Sequence, residues 1–157
     1  MITTMPTTPI IIVAGLGRSG TSLACQLLDA AGVKVAGIYP SFEPDEMTTM
    51  PPEFIDAQIG GACKWLDPHR SELPPGRPYR IVFLTRTKRQ QAMSMIKFVE
   101  MSGSLPPGKS FTPDAHARMA ESMKHEQKAA LEELVRLHLA DYFSRPTVEG
   151  DGGKAMR

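Results

Sequence analysis

The passage from Ile10 to Ser22, Ile-Ile-Ile-Val-Ala-Gly-Leu-Gly-Arg-Ser-Gly-Thr-Ser, restricts what this chain can fold into more than any other. Its unbroken apolar run predicts a buried strand, and the glycines and hydroxyl residues that follow predict a tight loop opening a helix. Strand, loop and helix in that order build an anion site from backbone alone. The first N–H groups of a helix have no intrahelical partner, and the helix dipole adds roughly half a positive charge at that end. Glycines let the backbone turn sharply and approach an anion with no Cβ in the way. The expected ligand is a phosphate or sulfate ester carried on a nucleotide.

The loop side chains separate three readings of that nucleotide. Gly15-x-Gly17-x-x-Gly20 fits the dinucleotide fingerprint, which would make the protein an NAD(P)-binding oxidoreductase. That reading needs an acidic residue roughly 20 positions on, at the tip of a second strand. The predicted second strand, Val33 to Ile38, runs into Tyr39-Pro40-Ser41 with no acid at its end, and Glu43 follows only after the proline turn. Gly15 and Gly20, with four residues between them, also fit P-loop spacing. A P-loop that hydrolyses ATP or GTP places Lys and then Ser or Thr after its last glycine. Thr21-Ser22 stands there instead, which argues against kinase or NTPase chemistry. The third reading keeps the P-loop shape and moves its cation inside the loop, to Arg18.

Gly17-Arg18-Ser19-Gly20-Thr21-Ser22 resembles the 5′-phosphosulfate loop of sulfotransferases that use 3′-phosphoadenosine 5′-phosphosulfate (PAPS), where Lys or Arg precedes Ser-Gly-Thr. A second segment carries the same resemblance. Tyr79 to Arg86 reads as another short buried strand behind the proline-rich Leu73–Pro78, and it runs into Arg86-Thr87-Lys88-Arg89. Apolar residues at Ala92, Met93, Met95, Ile96 and Val99 predict an amphipathic helix next. Cations at a helix N-terminus are disfavoured by roughly 0.3–1 kcal/mol each, a conflict that a bound anion resolves. The segment is similar to the family's 3′-phosphate motif, an apolar strand ending in Arg with Ser one or two helical turns later. Arg86 and Ser94 hold those positions.

The resemblance covers roughly Ile10 to Val99 and implies an α/β, three-layer P-loop fold with a small, mostly parallel sheet flanked by helices. It implies PAPS as sulfuryl donor, PAP as product, and a hydroxyl or amine on a small-molecule or glycan acceptor. Gly15, Gly17, Arg18, Ser19, Gly20, Thr21 and Ser22 would bind the 5′-phosphosulfate, and Arg86 and Ser94 the 3′-phosphate. Arg18 would also stabilise charge during transfer. Lys64 resembles the lysine with which the glycosaminoglycan branch binds the transferring group; its bland alternative is a charged residue at a strand edge. Glu43 falls where that branch places its catalytic glutamate, although Asp45 and Glu46 beside it equally describe a solvated acidic loop. The cytosolic branch uses histidine, and His69 is the alternative base here. Two family elements are missing: a later strand ending in a Tyr-Glu-Asp-Leu-like segment, and a C-terminal glycine-rich basic segment that Val148–Lys154 matches only in its glycines. A nucleotide-binding protein on a decayed transferase core is the non-catalytic alternative.

The 157 residues predict one domain, with 145–157 as a flexible tail. Eighteen basic and seventeen acidic residues give a net charge of +1, so the balance carries no nucleic-acid signature. No apolar run is long enough to cross a bilayer, and Met1–Pro6 lacks the features of a signal peptide. A cytoplasmic protein is the expectation. Cys25 and Cys63 have no metal spacing and read as buried thiols, and His116, His125 and His138 lack i,i+4 pairing, so no metal site is expected. Further elements are predicted over Thr21–Ala31, Pro52–Ile59, Ala62–Leu66 and from Thr112-Pro113 to about Tyr142. A sheet of three or four strands is thin, and a homodimer interface would complete its core.

Overall fold

The computed structural model describes residues 8–103, 106, 108 and 112–144, with the side chains of the last helix described through Arg136. The tail expected over 145–157 and the Val148–Lys154 segment lie outside the described residues. Three strands, β1 (Ile10–Gly15), β2 (Ala62–Leu66) and β3 (Tyr79–Leu84), form an all-parallel sheet with β1 in the centre. The helices are α1 (Thr21–Ala30), α2 (Pro52–Asp56), α3 (Lys88–Met101) and α4 (Pro113–Ser144), with a 3-10 turn at Asp45–Thr48. The fold is a small three-layer α/β arrangement.

Side-chain alternation along the strands assigns the two faces. Ile10, Ile12 and Ala14 of β1, Cys63 and Trp65 of β2, and Tyr79, Ile81 and Phe83 of β3 meet Met50, Ile55, Leu73 and Leu134 on one side. Val13 and Ala62 turn to the other side, against Cys25, Leu28, Val35 and Phe42. Lys64 pairs with Val13 in the ladder and therefore points to this second face. The residue type is unexpected there, because α1 covers that face.

α1 stops as its sequence predicts. Gly32 adopts φ +88°, its N–H donates to Asp29 O at 2.9 Å, and the Val33 N–H donates to Leu28 O at 3.0 Å. These two bonds form a Schellman cap, and Val33 and Leu28 share the adjacent apolar cluster. Thr112 caps α4, its Oγ1 accepting from the Ala115 N–H at 3.2 Å. α2 ends at Asp56, three residues short of the predicted Ile59.

The second strand predicted over Val33–Ile38 does not form. Val35 makes one parallel bridge to Ala62, held by Ala62 N–H to Lys34 O at 2.9 Å and Ala36 N–H to Ala62 O at 2.8 Å. Gly37, at φ +93°, then turns the chain away so closely that a Cβ would lie 2.8 Å from the Phe42 carbonyl carbon. The Phe42 N–H closes that turn on Ile38 O at 2.9 Å. With the bridge counted as a strand position, the spatial order is second, third, first, fourth. In the dinucleotide fold the second strand lies directly beside the first.

Both cysteines are buried. Desolvation pushes the Cys63 thiol up to about 12 and raises Cys25 as well, with the Lys64 ammonium partly opposing the shift at Cys25. Thiolates are the reactive species. Neither cysteine is therefore expected to react with a disulfide probe near pH ~8 in the folded protein, while both react in denaturant. Rapid native labelling of either one would contradict this packing.

Candidate functional site

The loop between β1 and α1 lies at the carboxyl ends of the strands, where open parallel sheets place their ligands. Gly15 ends β1 in a space that admits no side chain: a Cβ would fall 2.5 Å from Ser19 Oγ and 2.9 Å from Leu84 O. Ser19 closes the turn, its N–H and Oγ both donating to Leu16 O at 3.2 and 2.6 Å. The Ser19 hydroxyl is thus committed to the shape of the loop. Gly20, at φ +100°, is the N-cap of α1, and no side chain caps that end. The first-turn amides of α1 stay available to a ligand.

Two side chains brace the loop from outside. Gln91, fully buried on α3, donates Nε2–H to Gly17 O at 2.8 Å and accepts from Lys88 Nζ at 3.0 Å. Asp67, directly after β2, accepts from the Gly17 N–H through Oδ1 at 3.3 Å, and its own N–H donates to Gly15 O at 3.0 Å. Neither residue belongs to the set that the sequence points to. Gln91, Ser94 and Phe98 share one helix face by spacing alone, and Asp67 is an acid placed beyond the end of a strand paired with β1. Both signals are legible only once that pairing is known.

The second motif lands on the first. Arg18 donates Nε–H to Ser94 Oγ at 3.0 Å across 76 residues of chain, and its guanidinium carbon lies 5.4 Å from the Phe98 ring centroid. Arg86, just past β3, donates Nη1–H to Arg18 O at 3.5 Å. Arg18 itself holds φ +65°, a conformation that non-glycine residues adopt rarely and that concentrates at functional sites. The helix N-terminus behind Arg86 is capped by Thr87, whose Oγ1 accepts from the Gln90 N–H at 3.4 Å.

On the α1 face, Lys64 and Glu43 meet. The Lys64 ammonium donates to Glu43 Oε1 at 2.7 Å and to Ser22 Oγ at 2.8 Å, with its side chain 0% exposed and that of Glu43 42% exposed. Lys64 does lie on an outer strand of the three-stranded sheet, but its side chain is buried and projects under the start of α1 instead of into solvent. Glu43 is placed by its buried neighbour Phe42, which packs against Val13 and Cys25. An ammonium has three N–H donors, and two are taken among the described residues. His69, the alternative base, has a buried Nδ1 without a hydrogen-bond partner among the described residues. His138 lies outside the described side chains.

The arrangement supplies what an anion bound at the loop requires: open helix amides, a hydroxyl at Ser22, and a dehydrated ammonium with a donor to spare. Among the described residues no cluster of His, Cys, Asp and Glu is suited to a metal ion, and no helix is long and apolar enough to cross a membrane. No protein-family model, curated protein or solved structure matches this chain.

A buried ion pair contributes little to stability when compared with apolar residues of the same volume, whereas removal of one partner is costly. Glu43→Ala should destabilise the fold by about 1–3 kcal/mol, below the fully buried range because Glu43 is partly exposed. Lys64→Met should stay within about 1 kcal/mol of the parent, and adding it to Glu43→Ala should recover most of the loss. Urea denaturation of the three variants measures both effects.

Proposed function

We propose that this protein binds PAPS and transfers its sulfuryl group to a hydroxyl or amine of a small-molecule or glycan acceptor, releasing PAP. The carrying observation is the hydrogen bond from Arg18 to Ser94, with Arg86 on the Arg18 carbonyl. Two segments read separately as phosphate motifs meet at one loop, as a nucleotide with phosphoryl groups at both its 3′ and 5′ positions demands. The missing acid and the strand order both weigh against the dinucleotide alternative.

In this reading the loop from Gly15 to Ser22 receives the 5′-phosphosulfate against the open amides of α1. Arg86 and Ser94 receive the 3′-phosphate. The acceptor oxygen or nitrogen attacks sulfur in line, the bond from sulfur to the 5′-phosphate oxygen breaks, and that phosphate leaves with the bonding electrons. Lys64, fully buried, offsets charge on the moving group through its field and through Ser22, whose hydroxyl accepts from it. Catalysis by such preorganised donors is strongest in a water-poor site, and the buried Lys64 provides one. Glu43 takes the acceptor's proton. Its exposure gives it access to an incoming substrate that Lys64 lacks.

Calorimetry with 3′,5′-ADP, 5′-AMP, ATP, NAD and NADP tests the assignment. Selective binding of 3′,5′-ADP is expected. Arg86→Ala should weaken it about ten- to a hundredfold, the worth of a charged hydrogen bond, and change 5′-AMP by less than about threefold. Equal losses would refute the 3′-phosphate assignment. Binding of NAD(P) would move the protein to the dinucleotide class, and binding of 3′,5′-ADP with no turnover across an acceptor screen would favour the decayed-core alternative.

A further inference from the structure

The loop cation expected to face the 5′-group is Arg18, yet its guanidinium does not lie over the loop. It lies along α3, bonded through Nε to Ser94 and stacked on Phe98, one helical turn further on. Meanwhile a different cation, Lys64, reaches the start of α1 through Ser22. Arg18 and Lys64 thus lie in two different places, Arg18 along α3 and Lys64 under the start of α1.

We propose that Arg18 is the residue that selects for the second phosphate, acting with Arg86 and Ser94, and that Lys64 rather than Arg18 serves the 5′-group. This inference rests on the sulfuryl-transfer reading above. Nε occupies only one of the five N–H donors of Arg18, so the two terminal nitrogens remain for an anion beside Ser94. The Ser94 hydroxyl accepts from Arg18 and keeps its own proton to donate to an anion. Ser94 opens onto a cleft of about 430 Å³ that Arg86, Lys97 and His116 also line, with Glu100 its one carboxylate. A phosphate entering there meets Arg86, Lys97 and Ser94 at the walls, and Arg18, which does not itself line the cleft, joins them through its hydrogen bond to Ser94. Phe98, with half its surface exposed, is the ring that holds Arg18 in that direction. Phe98 is thus a positioning residue.

The test is calorimetry of Arg18→Ala, Phe98→Ala and Lys64→Met with 3′,5′-ADP and 5′-AMP. Arg18→Ala should weaken 3′,5′-ADP about ten- to a hundredfold and leave 5′-AMP within about threefold. Phe98→Ala should show the same pattern at about three- to tenfold, since a cation–π contact at an exposed site is the weaker interaction. Lys64→Met should weaken both ligands by the same factor. Equal losses of the two ligands in Arg18→Ala would overturn the inference while leaving the Arg86 assignment intact. A parent protein with no preference for 3′,5′-ADP over 5′-AMP would overturn both. Circular dichroism of the variants separates binding losses from misfolding; Arg18 and Phe98 are both exposed, so native spectra are expected.

Discussion

Everything at the strand ends depends on the absence of a side chain at Gly15. Three segments converge there: the end of β1, the Ser19 turn and the Leu84 carbonyl of β3. A methyl group at that point would push β3 from β1 or open the turn, at the cost of roughly 1–3 kcal/mol that overpacking usually carries. The position of Arg86 follows from the same contact, because it lies two residues beyond Leu84. So does the reach of Arg18 to α3. Close packing of backbone here is what turns two distant stretches of sequence into one site.

Lys64 differs in kind from the other ion pairs of the molecule. Arg70–Glu126, Arg118–Asp114 and Lys124–Glu121 lie at the surface, where such pairs contribute between nothing and about 1 kcal/mol. Lys64 is carried by a strand into the layer between sheet and helix, where apolar packing would serve stability equally well. Its own strand β2 and the two elements it contacts, the start of α1 and the loop at Phe42, each contribute residues to the apolar cluster on that face.

Local pattern in the chain reveals the pieces that are locally determined. The apolar runs of β1 and β2, the glycine stop of α1 and the Thr112-Pro113 start of α4 were all legible, since a few adjacent residues dictate each; β3 forms where its apolar run predicts a strand, but it is a half-exposed outer strand that ends at Leu84 and not a buried one. The segment Val33–Ile38 misled because its alternation is that of a strand, while Gly37 and the backbone of Phe42 decide its conformation through a contact that no local pattern encodes. At the site, Arg86 and Ser94 were singled out by a resemblance to a family motif, and the fold brings both to Arg18. Gln91, Asp67 and Phe98 were not, because each acts on a loop 50 to 80 residues away and resembles an ordinary helix or turn residue until the strands are paired. The direction of Arg18 was hidden for the same reason.

The ladder of β1 also bears on how the chain comes to be folded. Ile12 pairs with Cys63 on one side and with Ile81 on the other. Both edges of the central strand thus wait for partners made much later in synthesis, and closing such long loops is what slows assembly of parallel sheets. The apolar stretch Ile10–Ala14 keeps one edge unpaired until residue 84 has been made. During that interval an apolar strand stands with an open edge, the kind of surface through which folding chains associate with one another.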